Sequence, residues 1–371
     1  MWLKEEILDT PHKIADRLLE LIHSAVQSID IEVYIFDVDE FGMKVAEALI
    51  QARQRGVKVR LLVDGIGSFG FSTSLLPHLV ENKISVRIYH PTPWDYNFTK
   101  LLWWVRWRTY LKLLGGINKR NHRKVFIFDH HQAVVGSMNI SNTHLVPPGW
   151  RDTAVLVTGS STKLLHLAFQ RAWRFSRKIG EILARRQLKK FEVQDLYFNF
   201  TRRLRRLSHF KVTHDISHSR KRVWITTAYF IPHRRLLKSL QEAAARGVDV
   251  CVLVPQKSDV IFVKLIAAAF YLGLLKRGVK IFEYKPQILH AKILILDEKA
   301  MVGSSNLNHR SFLHDLEVDV ILSKPESLAA LAQRFKTDLE KSVPITEEWA
   351  QHRPFWEKWL AHVLLILRYW M

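Results

Sequence analysis

The stretch HRKVFIFD, residues 122–129, decides the fold because it returns once, as HAKILILD at 290–297. Each copy reads His-x-Lys-x4-Asp, and each is followed by Gly-Ser-x-Asn, at 136–139 in the first half and at 303–306 in the second. Two copies with the same polar tail indicate an internal duplication rather than chance. In each copy, apolar residues separate the Lys from the Asp, which predicts a short strand that is buried on both faces.

The predicted secondary structure also repeats in the same order in the two halves. Segments of helical periodicity alternate with short runs rich in Val and Ile, and this alternation predicts an α/β fold with parallel strand pairing. The predicted elements of the first half are a helix at 11–28, a strand at 29–36, a helix at 42–55, a strand at 57–63, a helix at 75–81 and a strand at 84–89. Those of the second half are a strand at 223–229, a helix at 234–246, a strand at 248–254, a helix at 260–275 and a strand at 279–284.

The two halves differ by one insertion. Tyr34 and Tyr229 are 195 residues apart, whereas His122 and His290 are 168 apart, so the first half carries 195 − 168 = 27 additional residues before its motif. The inserted segment, 92–121, interleaves tryptophan with basic residues, which favours a membrane-interfacial helix beside the active-site mouth. The alternative is a helix that packs its aromatic face on the body and leaves its basic side chains in solvent. The residues predicted to contact the membrane are Trp103, Trp104, Arg106, Trp107 and Arg108.

The charge of the chain indicates its class of partner. The 371 residues carry a net charge of +21, which implies either nucleic acid or an anionic membrane surface. Twelve Trp and 20 Phe favour the membrane interface. Positive charge is densest between Arg171 and Arg222, with 16 basic and four acidic residues, and this region is predicted to contact phosphate groups. A solvated helix face is the alternative.

The chain is predicted to contain a first lobe (1–175), a basic linker (176–218), a second lobe (219–345) and a C-terminal amphipathic helix (346–371). The helix is expected to lie on a membrane or on the protein. The N-terminal residues are acidic and do not read as a signal peptide, and no apolar run is long enough to predict a transmembrane helix. The single cysteine, Cys251, is predicted to be a buried thiol, which fits a reducing compartment.

The motif residues indicate phosphodiester chemistry. Residues two apart on a strand face the same side, so His122 projects with Lys124 and His290 with Lys292. One neutral imidazole can attack phosphorus while the other, protonated, gives a proton to the departing alcohol, because histidine titrates near pH ~6.5. The motifs contain no cysteine, and the chain contains no HExxH pattern or acidic cage, so neither a metal nor a cofactor is expected.

Further polar residues are predicted to complete the site. Asp129 and Asp297, which end the two motifs, are grouped with the catalytic residues. Each histidine needs a carboxylate that orients it, and Asp152 and Glu317 stand in equivalent places in the two halves, just before β-like runs. A carboxylate at a strand entry without such a role is the alternative. The residues predicted to bind substrate phosphate are Asn139, Asn306, Ser137 and Ser304.

These residues resemble the phospholipase D superfamily, whose signature is His-x-Lys-x4-Asp with a following Gly-Ser/Gly-x-Asn. The resemblance covers nearly the whole chain, and within the superfamily the chain is most similar to bacterial cardiolipin synthases that lack N-terminal transmembrane helices. It departs from them at Asn308, where these synthases usually have Asp. The stretches that carry the resemblance are 31–36 (IEVYIF) with Asp39 and Gly42, 121–124 (NHRK), 150–152 (WRD), 229–232 (YFIP), 303–307 (GSSNL) and 310–312 (RSF) with Glu317.

The resemblance implies two similar α/β lobes, each a mixed and mainly parallel sheet flanked by helices, with pseudo-twofold symmetry and one active site at their interface. It implies a phosphohistidine intermediate, with His122 as the nucleophile and His290 as the acid and base, an order that the residues alone leave open. It also implies a peripheral enzyme on the cytoplasmic face of the bacterial inner membrane. Such an enzyme moves a phosphatidyl group to phosphatidylglycerol and forms cardiolipin, so the expected partners are anionic phospholipids and the membrane surface rather than nucleic acid.

Other functions share the same residues. A phospholipase D would use water as the acceptor and release phosphatidic acid. A phosphodiester nuclease of the superfamily would suit the positive charge, but it would have no need of the tryptophan-rich insertion. A non-enzymatic membrane scaffold would have no need of two complete sets of His, Lys and Asn.

Overall fold

Two mixed β-sheets, one from each half of the chain, form the framework of the protein. The computed structural model describes residues 2–91, 120–176, 194–308, 310–311 and 314–365. The first sheet contains β1 (Trp2–Leu8), β2 (Ser28–Val33), β3 (Lys58–Asp64), β4 (Ser85–Tyr89), β5 (Val125–Phe128), β6 (Gln132–Gly136) and β7 (Ala154–Gly159), in the order β1-β7-β6-β5-β2-β3-β4. The second contains β8 (Leu196–Phe198), β9 (Arg222–Thr226), β10 (Asp249–Pro255), β11 (Lys280–Tyr284), β12 (Ile293–Leu296), β13 (Lys299–Gly303), β14 (Val318–Leu322) and β15 (Ser342–Pro344), in the order β15-β11-β10-β9-β12-β13-β14-β8.

Helices cover the outer faces of the sheets, and the first two helices of the first lobe begin with the expected capping residues. The side chain of Thr10 accepts a hydrogen bond from the N–H of Lys13, and that of Asp39 accepts one from Gly42, so both helix starts are satisfied locally. The described helices are α1 (Pro11–Ser24), α2 (Glu40–Gln54), α3 (Phe71–Glu81), α4 (Thr162–Phe175), α5 (Arg202–His218), α6 (Arg234–Ala245), α7 (Ile261–Leu275), α8 (Pro325–Glu340), α9 (Glu347–His352) and α10 (Phe355–Leu364).

The sheets confirm the predicted α/β class and mixed pairing, but the prediction that they are mainly parallel is wrong. Among the strands listed above, those that alternate with helices pair in parallel, β2-β3-β4 in one lobe and β9-β10-β11 in the other. The motif strands β5 and β12 pair antiparallel with both neighbours, as β6 and β13 do. Short turns join β5 to β6 and β12 to β13, and so short a connection allows only antiparallel pairing.

The two sheets share one hydrophobic core. Val125 and Ile127 of β5 lie in it with Ile293 and Ile295 of β12, so the motif strands contribute one face each to the contact between the lobes. The alternate residues of each motif strand, such as Phe126, pack under the helices of their own lobe. This confirms the prediction that the apolar part of each motif is buried on both faces.

The second lobe begins earlier than the sequence predicts. The predicted linker, 176–218, contains β8 and the whole of α5, and β8 pairs antiparallel with β14 at the edge of the second sheet. Leu196 and Phe198 are buried in the shared core. The linker prediction is therefore corrected from residue 196 onward, because apolar residues at alternate positions complete the sheet despite the surrounding positive charge.

The lobes exchange strand contacts next to both motifs. Asn121 bridges to Leu316, and Arg151 bridges to Leu289, in each case with parallel direction. Arg151 also forms a buried ion pair with Asp338 on α8, at 2.9 Å between Nη2 and Oδ2. The residues that follow these bridges therefore lie at the interface between the lobes. They are His122 and Glu317 at the first bridge and Asp152 and His290 at the second.

The C-terminal region forms α9 and α10, which pack on α7. Within the residues that the structure describes, no helix is both long enough and apolar enough to cross a membrane. The tryptophan-rich segment predicted to contact a membrane, including Trp103, Trp104, Arg106, Trp107 and Arg108, lies outside the described residues.

Candidate active site

His122 from the first lobe lies against a carboxylate from the second. Its Nδ1 is 3.1 Å from Oε1 of Glu317, while the ring of Tyr34 lies 5.2 Å away, centroid to centroid. The His122 side chain is 14% exposed and that of Glu317 is 1% exposed. Because Nδ1 faces the carboxylate, Nε2 is the ring atom left for chemistry at the interface.

His290 repeats the arrangement with the lobes exchanged. Its Nδ1 is 2.8 Å from Oδ2 of Asp152, and both side chains are buried. The ring of Trp150 lies 5.1 Å from that of His290. Asp152 and Glu317 therefore lie where an orienting carboxylate is expected, but each serves the histidine of the other half rather than its own.

A buried network fixes the backbone around His122. Asn121 donates to Oε1 of Glu32 at 2.6 Å, and Arg123 donates to Oε2 of the same carboxylate at 3.3 Å. Glu32 lies on β2, the neighbour of the motif strand. The residues on both sides of His122 are thus tied to the adjacent strand, so the imidazole is carried by a rigid element.

The lysines of the two motifs are both buried. Nζ of Lys124 donates to the carbonyl oxygen of His122 at 2.7 Å, and Nζ of Lys292 donates to that of His290 at 2.6 Å. Each ammonium is held by the backbone of its own motif, where its charge is available to a bound anion.

The serines of the Gly-Ser-x-Asn tails hold the carboxylates instead of facing a ligand. Ser137 donates to Oδ1 of Asp152, and Ser304 donates to Oε2 of Glu317 at 2.5 Å. Both serines are fully buried. The prediction that they bind phosphate is therefore corrected, since their hydroxyl protons are committed to the carboxylates.

The glycine of each tail makes these serine contacts possible. A Cβ on Gly136 would lie 2.7 Å from the carbonyl oxygen of Thr153, and one on Gly303 would lie 2.3 Å from that of Val318. Only glycine allows the two strands to approach this closely. The asparagines that end the tails are both buried, and Asn139 accepts the N–H of Ile35 through Oδ1 at 3.2 Å, which leaves its amide N–H groups as donors.

The aspartates that end the motifs lie away from the histidines. Asp129 follows Lys124 by five residues, roughly 16 Å along an extended strand. Its carboxylate accepts the backbone N–H groups of Val26, Gln27 and Ser28 at 2.7–3.1 Å. Asp297 accepts the equivalent N–H groups of residues 220–222 at 2.9–3.0 Å. The grouping of both aspartates with the catalytic residues is corrected, because each ties a strand end to a neighbouring turn.

Replacing Asp129 with alanine is expected to reduce stability and leave the chemistry intact. Loss of hydrogen bonds between a carboxylate and backbone N–H groups should lower the free energy of unfolding by about 1–3 kcal/mol, measured by urea denaturation. The turnover number of the folded variant should match that of the wild type, and Asp297→Ala should behave alike. A fall in turnover as large as that of a histidine variant, with folding intact, would return Asp129 to the catalytic group.

Burial sets the protonation states of the site. Burial and the two lysines lower the pKa of His122 well below its ordinary value, and burial and Lys292 lower that of His290. Both imidazoles are therefore neutral in the empty site at neutral pH. Burial and the charge of Lys292 lower the pKa of Lys124 to about 7, and burial lowers that of Lys292 to about 8. Burial also raises the pKa of Glu317 to about 7.

A third imidazole, which sequence reasoning missed, lies behind His290. His144 is buried, and its Nδ1 is 3.3 Å from Oδ2 of Asp152. The potential ligand atoms of His144, Asp152 and His290 lie within 4.8 Å of one another. The buried ammonium groups of Lys124 and Lys292 oppose a cation at this place, so the group fits an anion-binding site better than a metal site.

Comparison with known proteins finds relatives that match most of the chain. The family model described as cardiolipin synthase, PLD-like domain, matches residues 18–173 and 212–339. The chain is 32% identical over 342 residues to cardiolipin synthase 2 of Bacillus anthracis, covering 88% of this chain and 63% of that one. It is 31% identical over 369 residues to cardiolipin synthase of Halalkalibacterium halodurans, covering 94% and 68%. The chain thus spans about two thirds of the length of these curated relatives.

Solved structures share the fold at low sequence identity. Phosphatidylserine synthase of Haemophilus influenzae is similar with a TM-score of 0.71 and 12% identity, covering 99% of this chain and 95% of that one. Polyphosphate kinase of Porphyromonas gingivalis is similar with a TM-score of 0.63 and 12% identity, covering 99% and 53%. The two-lobed architecture is therefore that of known proteins over the full length of the chain.

Proposed function

The chain belongs to the family of cardiolipin synthases with a phospholipase D-like domain, and from this membership we propose that it moves a phosphatidyl group to phosphatidylglycerol and forms cardiolipin. The observation that carries the proposal is the pair of interface imidazoles, His122 and His290, each bound to a buried carboxylate and accompanied by a buried lysine. This set supplies a nucleophile, a proton donor and positive charge for a phosphodiester.

The first step forms the intermediate. Nε2 of His122 uses its lone pair to form a bond to phosphorus, and the bond from phosphorus to the leaving alcohol oxygen breaks. His290, which gains a proton when the anionic phosphodiester enters the site, gives that proton to the departing oxygen. Lys124 and Lys292, with the amides of Asn139 and Asn306, stabilise the charge on the nonbridging oxygens.

The second step transfers the group to the acceptor. Neutral His290 takes the proton from a hydroxyl of phosphatidylglycerol as the oxygen of that hydroxyl attacks phosphorus. The bond between His122 and phosphorus breaks, which restores the free imidazole. The phosphatidyl donor in the first step is phosphatidylglycerol or phosphatidylethanolamine, since both present the same phosphodiester.

The proposal is tested with labelled phosphatidylglycerol in vesicles and purified protein. The expected product carries two phosphatidyl groups on one glycerol, and the alcohol of the donor lipid is released. Phosphatidic acid as the main product would mean that water is the acceptor and the protein is a phospholipase D. Absence of any diphosphatidyl product with either donor lipid would refute the proposal, and cleavage of plasmid DNA in chelator would point to a nuclease.

The pH dependence of kcat/KM should be bell-shaped, with its maximum near pH 7, where the limb set by Glu317 meets the limb set by Lys124. Glu317 must be ionised to hold the proton on Nδ1 of His122, and burial raises its pKa to about 7, so activity is lost as the pH falls below that value. The lysines must be charged, and burial lowers the pKa of Lys124 to about 7 and of Lys292 to about 8, so activity is lost above them.

The matched variant for the alkaline limb is Lys124→Arg, because arginine keeps its charge throughout this range. Its alkaline limb should move to higher pH while the acidic limb stays in place. A profile that is flat from pH 6 to pH 9 in the wild type would contradict both assignments.

We also propose that α10 docks the enzyme on the membrane, at the cytoplasmic face of the inner membrane as a peripheral protein. Phe355, Trp356 and Trp359 lie on one face of the helix and are 82%, 62% and 61% exposed. The opposite face packs on α7, in a small apolar cluster that includes Tyr229, the counterpart of Tyr34 beside His122. Tryptophan and phenylalanine favour the interface of a bilayer, and the net charge of +21 favours an anionic one.

Replacing Phe355, Trp356 and Trp359 together with serine is expected to weaken binding to vesicles of phosphatidylglycerol and phosphatidylcholine. Burial of a large apolar side chain contributes about 1.5–3 kcal/mol, so even one inserted ring corresponds to at least a tenfold change in the partition coefficient. Leu3→Ser, at a residue that is 75% exposed on β1, is the matched control and should bind as the wild type does. Equal binding of the triple variant and the control would show that this face does not enter the bilayer.

A further inference from the structure

The two orienting carboxylates have different supports at equivalent positions of the duplicated lobes. His144 lies eight residues after Gly136, the glycine of the first Gly-Ser-x-Asn tail (144 − 136). Ser311 lies eight residues after Gly303, the glycine of the second tail (311 − 303). His144 faces Asp152, with Nδ1 3.3 Å from Oδ2, and Ser311 donates to Oε1 of Glu317 at 2.7 Å. The duplication therefore places an imidazole behind one carboxylate and a hydroxyl behind the other.

The protonation of His144 follows from its second contact. Its Nε2 accepts the backbone N–H of Asn139 at 3.3 Å. A backbone amide is always a donor, so Nε2 carries no proton, and the neutral ring carries its proton on Nδ1. Nδ1 lies 3.3 Å from Oδ2 of Asp152, the same oxygen that His290 contacts at 2.8 Å, but it is not aligned for a hydrogen bond. The contact of Nε2 with the backbone thus fixes the ring of His144 with Nδ1 beside Asp152.

The supports match the lengths of the carboxylates. In the first lobe the large His144 faces the short Asp152, and in the second the small Ser311 faces the longer Glu317. Asp152 accepts hydrogen bonds from Ser137, the N–H of residue 153 and His290, and Nδ1 of His144 lies 3.3 Å from its Oδ2. The two lobes therefore differ both in the carboxylate and in the side chain that contacts it.

The two carboxylates hold their charge to different degrees. Burial acts to raise the pKa of Asp152, but the interactions with His290 and His144 outweigh it and keep that pKa well below its ordinary value. At Glu317 burial prevails, and the pKa rises to about 7 although Lys124, Ser304 and Ser311 oppose the change. Asp152 is thus the more firmly ionised partner.

We propose that His144 is a positioning residue for the phosphatidyl transfer inferred above, which holds Asp152 ionised and aligned so that His290, rather than His122, carries the proton. This inference rests on the proposed function. In the first step, His290 gives its proton to the leaving oxygen as the bond from that oxygen to phosphorus breaks and the bond from His122 to phosphorus forms. In the second step, the proton of the acceptor hydroxyl goes to His290. His144 itself exchanges no proton.

The matched pair of variants is His144→Ala and His144→Asn. Both lose the acceptor for the N–H of Asn139, but the side-chain amide of asparagine stands where Nδ1 of histidine was and keeps an N–H group beside Asp152. The two variants therefore differ in the contact that matters and share the structural loss. Thermal unfolding of both checks that they are folded to the same extent.

The readout compares two leaving groups. With phosphatidylglycerol, the leaving alcohol needs a proton, so His144→Ala should lower kcat by roughly 10–100-fold, the usual effect of removing a residue that orients another. With a phosphodiester that releases p-nitrophenolate, the leaving group needs none, so the burst of the first step should be nearly unchanged. His144→Asn should stay near the wild type with both substrates.

Equal losses with both leaving groups in His144→Ala would overturn the proposal and reduce His144 to a structural role, as would equal losses in the Ala and Asn variants. Unchanged turnover of phosphatidylglycerol in His144→Ala would overturn it as well. These results are separate from a failure of the proposed function, which would appear in the wild-type protein as absence of a diphosphatidyl product. In that event the burst comparison, made with any phosphodiester that the wild type cleaves, still decides the role of His144.

Discussion

Replacing His122 with alanine is expected to lower kcat by at least about 10⁴-fold, because loss of a nucleophile removes the route through the covalent intermediate. Rapid alkaline quench of the wild type with labelled phosphatidylglycerol should trap a base-stable, acid-labile phosphorus adduct on the protein. The variant should trap none. Because the imidazole is only 14% exposed, thermal unfolding of the variant checks that the loss of activity is not a loss of folding.

The counterpart, His290→Ala, should fail in a different way. It should lose about 10²–10⁴-fold in turnover of phosphatidylglycerol, which needs acid and base catalysis, while it still forms the covalent intermediate from a p-nitrophenyl phosphodiester. A trapped intermediate in His122→Ala but not in His290→Ala would reverse the two roles. Full activity of either single variant would refute a shared site.

Replacing Asp152 with asparagine is expected to reproduce the defect of His290→Ala, and Glu317→Gln that of His122→Ala. Loss of the carboxylate frees the imidazole to adopt the wrong tautomer, and such a change in a related arrangement lowers kcat by about 10⁴-fold. The cross-lobe distances of 2.8 Å and 3.1 Å make this crossed pattern of defects the expected one. If each carboxylate served its own half, the pattern would be exchanged.

Double variants give the control for this prediction. Asp152→Asn combined with His290→Ala should be no slower than His290→Ala, because the carboxylate acts through the imidazole. The residual turnover of Asp152→Asn combined with His122→Ala should be lower than that of either single variant. Additive losses in the first pair would mean that Asp152 acts independently of His290.

The sequence predicts the site residues better than their partnerships. Asp152 and Glu317 can be found because each stands before a strand at the same place in its half. Spacing of 30 residues from His122 and 27 from His290 describes position along the chain only. The crossed pairing depends on how the lobes face each other, through the bridges at Asn121 and Arg151, and no local pattern encodes that contact.

Two groups of residues show why a sequence motif assigns too many residues to an active site. Ser137 and Ser304 neighbour in sequence the asparagines proposed to bind phosphate, but the close strand approach at the preceding glycine turns their hydroxyls inward. Asp129 and Asp297 share the motif with histidine, yet a strand separates them from it. In a motif of this kind, the aspartate at one end stabilises the fold, and the histidine and lysine at the other end belong to the candidate active site.

His144 was hidden for the opposite reason. It lies outside both motifs, and a single histidine on a loop carries no signal by itself. Alignment of the two halves from their glycines would have set it against Ser311 and drawn attention to the difference. The parallel pairing was likewise overestimated, because alternating helices and strands fill only part of each half.

The exchange of carboxylates between the lobes has a consequence for how such a site arises. One lobe alone holds His122 with Asp152, or His290 with Glu317, and neither of these is a bonded pair. A single lobe would therefore need a second copy, related by a twofold axis, to assemble the site. Joining two lobes in one chain makes that encounter intramolecular, so assembly no longer depends on protein concentration, and the two halves are free to diverge while each still supplies the other.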